Sequence, residues 1–323
     1  EKKLHWDTTK TGEIKPLIKK LDIEALPSLP YDTTGFRPFS KLPEEVKFDF
    51  NSLPEQSFSM AKLPSEPLLF KTTILAPPAI VKTSAPSAQK DKALSIFDFG
   101  QPQGLQAKFI TCLLKDKNGA MWIGSKEGVF RYDGEHIQTF VAGPLQSGIA
   151  GMVEDGRGKI WYIQQGGLRM LDPANSTLSF STKITAVVNN LTKMFKDESG
   201  LIWVYNNIDK AVSVIDPEEM AFKNIDKKVG LSDSTAFEIT EDDNKNIWIS
   251  TYKGGVNIVD IKSGKIKYLK KANGLSSDTL SAITKDKNGY ELKTKNGKYY
   301  QKLRIVLLDN ENNSTVYKAI FGK

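Results

Sequence analysis

Few residues in this 323-residue chain could carry acid–base, nucleophilic or metal chemistry: two histidines, His5 and His136, and one cysteine, Cys112. A catalytic histidine needs a nucleophile, a carboxylate or a metal cluster placed to share its proton. Neither histidine has such neighbours at a recognisable spacing, and His136 sits at a "GEH" turn, where a solvated surface side chain accounts for it. Cys112 lies in the apolar run "FITCLL" and reads as a buried, inert thiol; a single cysteine also excludes an internal disulfide. Aspartates open five turns, "DKNG", "DGRG", "DESG", "DDNK" and "DKNG", at Asp116, Asp155, Asp197, Asp242 and Asp286. A calcium loop needs several oxygen ligands at alternate positions, closed by a bidentate carboxylate. None of these turns has that, and hairpin geometry explains each aspartate. No metal, no other cofactor and no enzymatic activity is expected.

Six positions after the first four aspartates stand Trp122, Trp161, Trp203 and Trp248, spaced by 39, 42 and 45 residues. An exposed indole can stack on a sugar ring, but recurrence at one position of a repeat points to packing. Each copy divides into four short strands. In the first these are "FITCLLK", "AMWIGS", "VFRYD" and "IQTF", separated by turns rich in Asp, Asn and Gly. Four strands in about 40 to 45 residues is the length of a propeller blade. A blade cannot cover both of its own faces, so neighbouring blades must, and the tryptophans are expected to fill the gaps between sheets.

The fold class is therefore all-β, a β-propeller of four-stranded blades, with clear repeats over 105–289 and a degenerate last blade over 290–323, where Leu292 replaces tryptophan. The count allows five blades. Residues 95–99 ("SIFDF") resemble the last strand of a blade whose other strands come from the carboxyl-terminal tail, which would close the ring; a broken or truncated larger ring competes with that reading.

Before the propeller region (94–323) comes a Pro-rich segment, 1–93, with Leu-Pro pairs at 42–43, 53–54 and 63–64. Proline favours extended backbone, so these units should be extended rather than helical. Phe48, Phe50, Phe58 and Phe70 could dock this strap on the blades; a loose tether is the other reading.

The formal charge of +7 is not spread along the chain: residues 285–323 hold 9 Lys and Arg against 4 Asp and Glu, while 1–100 nearly balance. "KTKNGKYYQKLR" fits a lysine-protected edge hairpin better than a nucleic-acid surface, so no nucleic-acid partner is expected. No apolar run approaches the roughly 20 residues of a spanning helix, so no membrane insertion by this segment is expected. The chain opens without a basic-then-apolar leader, as would an unexported chain or a mature, trimmed one.

The order Asp-x-x-Gly-x-apolar-Trp-apolar, followed by a Gly-containing turn, resembles the two-component regulator propeller repeat; "KDKNGAMWIGSKEGVFRYD" and "EDDNKNIWISTYKGGVNIVD" are close to it. The resemblance implies the periplasmic or extracellular sensor region of Bacteroidetes-type propeller histidine kinases, binding a carbohydrate or small molecule and working with a downstream signalling module or a sister chain, with a homo-oligomer as one arrangement. An assembly role through exposed blade edges is the alternative. Propeller lyases use similar repeats but rely on histidines near the central channel, which this chain lacks. Ligands of propellers gather where blade links and second turns meet. The second turns "SKEG", "QQGG", "NNIDK" and "TYKGG" vary between copies, and Lys126, Gln165, Asn207 and Tyr252 are the candidate ligand-binding residues.

Overall fold

The computed structural model describes residues 45–47, 49–88, 97–142, 148–164, 167–184, 194–206, 208–275, 277–280, 282–285, 292–293, 299–308 and 314–321. Phe48 and His5 lie outside them. Residues Pro43–Lys323 form one compact unit.

The amino-terminal part contributes β1 (Glu45–Lys47), β2 (Glu55–Ser57), β3 (Glu66–Pro67), β4 (Lys71–Ile74), β5 (Ala79–Lys82), β6 (Ser87–Ala88) and β7 (Phe97–Asp98). Four blades follow. The first is β8 (Ile110–Lys115), β9 (Met121–Ser125), β10 (Gly128–Tyr132) and β11 (His136–Ala142); the second is β12 (Met152–Glu154), β13 (Ile160–Gln164), β14 (Gly167–Asp172) and β15 (Thr177–Ser181). The third is β16 (Met194–Lys196), β17 (Ile202–Asn206), β18 (Ala211–Asp216) and β19 (Ala221–Ile225); the fourth is β20 (Ala236–Glu241), β21 (Ile247–Thr251), β22 (Val256–Asp260) and β23 (Lys265–Leu269). Each blade is an antiparallel meander in sequence order. The middle strands, such as "IWYIQ" and "IWIST", read as near-continuous apolar runs because sheets cover them on both faces.

Each meander gains a fifth strand from the strap. β5 pairs with β11, β4 with β15, β3 with β19 and β2 with β23, all antiparallel. After β1, the strap visits the fourth blade first and the first blade last. It is a docked element, not a tether. Apolar strap residues approach every tryptophan cluster: Phe50 lies tilted at 6.3 Å from Trp248, Phe58 is buried beside Trp203, Phe70 meets Trp161 edge-on at 5.8 Å, and Leu75 packs on the Trp122 cluster. Leu53-Pro54 and Leu63-Pro64 are extended, but each follows a one-turn 3-10 helix, Phe50–Ser52 and Met60–Lys62, which steps the strap from one blade to the next.

The tail also forms strands, as its composition suggested: β24 (Ala282–Lys285), β25 (Leu292–Lys293), β26 (Tyr299–Leu308) and β27 (Ser314–Phe321). The fifth sheet runs β1-β27-β26-β24, with β1 parallel to β27. Both ends of the described chain thus meet in one sheet, but not as residues 95–99 suggested. Phe97–Asp98 pairs with Ser87–Ala88 instead, because a local two-strand contact is satisfied before a distant one.

The core lies between the blades. Trp122 clusters with Met152, Ile160 and Tyr162 of the second blade; Trp161 with Met194, Ile202 and Val204 of the third; Trp203 with Ile239, Ile247 and Ile249 of the fourth; Trp248 with Leu280 and Ile283 before and within β24. All four indoles are buried. Each also donates its Nε1–H to Oδ2 of the aspartate six residues earlier: Asp116 at 3.1 Å, Asp155 at 2.7 Å, Asp197 at 2.7 Å and Asp242 at 2.8 Å. The other carboxylate oxygen takes turn N–H groups, as Asp155 Oδ1 does from Arg157 and Lys159, both at 2.9 Å. One buried carboxylate therefore both shapes the first turn and satisfies the inter-blade indole.

Candidate functional site

At one end of every blade the first strand begins, the second strand ends and the second turn projects. In three of the blades the turn is anchored by the residue three after the tryptophan: Ser125, Asn206 and Thr251. Ser125 Oγ accepts the N–H groups of Glu127 (2.9 Å) and Gly128 (3.0 Å). Thr251 Oγ1 accepts from Gly254 N–H at 3.1 Å and donates to Gly255 O at 2.9 Å. Asn206 accepts from Ile208 N–H at 3.1 Å and donates to Asp209 at 2.9 Å. Ser125, Asn206 and Thr251 are buried. Sequence reasoning missed this position; its signal was a polar residue at the same place in otherwise apolar strands.

Glycine closes the turn where a backbone approaches. At Gly167 (φ +142°) a Cβ would lie 2.2 Å from Ser181 O, and at Gly255 (φ +72°) it would lie 2.4 Å from Leu269 O. Further side chains hold the links. Asn257 donates to Ser232 Oγ at 2.8 Å, while Asp209 accepts from Asn224 at 2.7 Å and Asn224 Oδ1 is 2.6 Å from Ser213 Oγ.

Two of the candidate residues occupy equivalent places. Lys126 N–H donates to Phe109 O at 3.2 Å, and Tyr252 N–H donates to Thr235 O at 3.0 Å; each heads its second turn and is tied to the residue before the first strand. Lys126 Nζ lies 5.2 Å from the exposed Phe109 ring. Tyr252 is 41% exposed, meets Phe237 edge-on at 6.0 Å and carries Lys253 Nζ at 5.3 Å. Ile208, also exposed, projects from the third blade's second turn. Glu127 accepts the N–H groups of Lys108 (3.0 Å) and Phe109 (3.2 Å), and the first of these bonds leads in holding its carboxyl below the usual range. Gln165 and Asn207 lie outside the described residues.

Other groups are used structurally. His136 opens β11, the outermost strand of its repeat, with Nδ1 3.8 Å from Asp133. Cys112 is half-buried, and burial pushes its thiol up to about 12, which leaves it protonated and unreactive at neutral pH. Among the described residues no cluster of three or more His, Cys, Asp or Glu could hold a metal ion. A cavity of about 380 Å³ lies at the opposite blade end, between the strap and third blade, lined by Met60, Leu201, Asp216, Glu219 and Lys223. Its one cation, Lys223, already donates to Met60 O at 3.0 Å.

Electrostatics separate the first blade from the rest. Opposite Trp161, Trp203 and Trp248 on the third strand stand Met170, Val214 and Ile258, but opposite Trp122 stands Arg131, which bonds Asp116 at 3.1 Å. Burial tends to raise the Asp116 carboxyl, yet Arg131, Ala120 N–H and Trp122 outweigh it and hold it below the ordinary value. The folded pKa is depressed, so this contribution to stability is complete above the unfolded aspartate's pKa of about 4 and is lost as pH falls through the folded value. Urea midpoints measured down that range should fall, and Arg131→Met should make the fall shallower; an equal slope in both proteins would contradict the assignment.

Residues 104–127, the link, first strand and second strand of the first blade, match the family described as two component regulator propeller. That stretch is similar to the regulator propeller repeat. The Asp–Trp bond recurs in the three later copies, with Lys245 at φ +68° where the others have glycine. No match was found among curated proteins. Solved structures of similar shape include the extracellular domain of a hybrid two-component system from B. thetaiotaomicron, with 18% identity over 68% of this chain and 31% of that one, TM-score 0.45. A one-component system's extracellular domain from the same bacterium gives 15% identity, 66% and 28% coverage and a TM-score of 0.45. Virginiamycin B lyase from Staphylococcus aureus gives 13%, 78% and 89%, with a TM-score of 0.46. The chain spans less than a third of each of those two extracellular domains. No helix among the described residues is long and apolar enough to cross a membrane.

Proposed function

We propose that this chain is a non-enzymatic, extracytoplasmic sensor module of a bacterial signalling system, and that its ligand, a carbohydrate or small molecule, binds at the second-turn end of the blades. The observation that carries this reading is the placement of Lys126 and Tyr252 at equivalent positions on turns locked from below, each beside an exposed or edge-packed aromatic ring. Exposed aromatic faces on rigid turns suit the apolar face of a sugar ring, and adjacent ammonium groups suit its hydroxyls or an acidic substituent. The regulator propeller repeat supports the signalling role. Ligand would act by its differential affinity for two arrangements of the module and whatever it contacts downstream.

Titration calorimetry with neutral and acidic oligosaccharides tests this. Binding is expected to weaken by at least about tenfold in Tyr252→Ala and in Lys126→Ala, with unfolding midpoints unchanged. Binding indifferent to both substitutions would move the site elsewhere, and no heat with any sugar at concentrations up to about 1 mM would remove the carbohydrate reading.

A further inference from the structure

The repeat allows an uncovered surface to be recognised by comparison with its own equivalents. Three residues before each turn aspartate, on the first strand, stand Leu113, Met152, Met194, Ile239 and Ile283. The last four are 7%, 8%, 6% and 4% exposed, each packed in the cluster of the preceding blade's tryptophan. Leu113 is 60% exposed, and Ile110 on the same strand is 47% exposed. Leu113 stands opposite Ile123 in the ladder, so it belongs to the face turned away from Trp122. Phe99, Leu105 and Ala107 cover the outer part of that face, over Phe130 and Ile137, and leave β8 bare. The first blade thus presents an inter-blade surface with no blade upon it.

We infer that this β8 face is an interface with a second copy of the chain, formed by two first blades meeting about a two-fold axis. The complement used inside the chain, a tryptophan face, is filled in each of the four described blades. The second copy's own β8 face remains, apolar and equally bare. A two-fold axis runs the two β8 strands antiparallel, and the charges at their ends then complement each other. Lys115 ends β8 on the Leu113 face, and Glu127 is held at the strand's beginning by the N–H groups of Lys108 and Phe109. Antiparallel alignment brings Lys115 of one copy to Glu127 of the other, twice. Such an isologous contact closes at two chains, whereas a head-to-tail one would propagate. It also removes from water an apolar stripe that a monomer would leave exposed.

Sedimentation equilibrium of the full chain at concentrations up to the order of 100 μM tests this. A reversible dimer is expected, with its dissociation constant raised at least about tenfold by Leu113→Lys and also by Lys115→Glu, each substitution acting twice per dimer. Circular dichroism and urea midpoints should match the parent for both; Lys115 is exposed, so its variant keeps the test valid if Leu113→Lys folds poorly. Neither substitution is at Phe109, Lys126 or Tyr252, and the dissociation constant is measured without any sugar, so its outcome is read separately from that of ligand binding. A monomer throughout, an oligomer unaffected by Lys115→Glu, or open-ended growth would each overturn the inference.

Discussion

Asp155→Ala is expected to lower the unfolding free energy by about 3 kcal/mol, a large part of the 5–15 kcal/mol typical of a domain. Three donors converge on this carboxylate: Trp161 Nε1, and the N–H groups of Arg157 and Lys159. The two turn amides can turn to water, but the indole is fully buried between blades and cannot. Leaving that donor unpaired dominates the cost. Trp161→Phe is expected to cost about as much from the other side, since it removes indole contacts and deprives a buried carboxylate of its donor. The double variant should cost clearly less than the sum, because neither group is then left alone. Urea denaturation of the four proteins measures this cycle. If Asp155→Ala stays within about 0.5 kcal/mol of the parent, the aspartate is only a turn former and the inter-blade account of the indoles fails.

Removing residues 1–83 should have a still larger effect, turning a cooperatively folding chain into an aggregating one. Without the strap, β11, β15, β19 and β23 become free edges, and the buried side chains Leu53, Phe58 and Leu68 leave the core. Each of those three is worth about 2–4 kcal/mol on truncation, so their joint loss is comparable to the whole stability of a domain. Open edges of apolar strands then pair between chains. Light scattering during refolding should rise steeply for the shortened protein, and a peptide of residues 49–83 added during refolding should suppress it by strand addition. A shortened chain that stays monomeric and unfolds in one sharp transition would show the strap to be dispensable. Phe58→Ala in the intact chain is the milder form, expected to cost about 3 kcal/mol.

Much of this architecture is legible in the chain because a blade is a local object. The Asp-to-Trp spacing, the turn residues and the four short runs all fall within about 45 residues, so pairing inside a meander follows from adjacency. The same locality marked the second turns as the variable end of each blade. It could not show that Ser125, Asn206 and Thr251 are buried anchors beneath those turns, since a polar residue at a strand end reads equally well as solvated.

The amino-acid sequence by itself determined the all-β class, four repeats with buried indoles, and a degenerate fifth unit. Three things were decided only in the tertiary structure. The strap's reversed course depends on contacts such as Lys267 Nζ to Phe50 O, 217 positions apart, for which no local pattern exists. The pairing of Asp116 with both Trp122 and Arg131 depends on which face each strand presents, which a ladder sets and a spacing does not. The bareness of Leu113 is invisible in sequence for the plainest reason: it is apolar like Met152, Met194, Ile239 and Ile283, and what differs is the presence of a neighbouring sheet. Hydrophobic patterning records that a face is built to be covered; only the packed molecule shows whether it is.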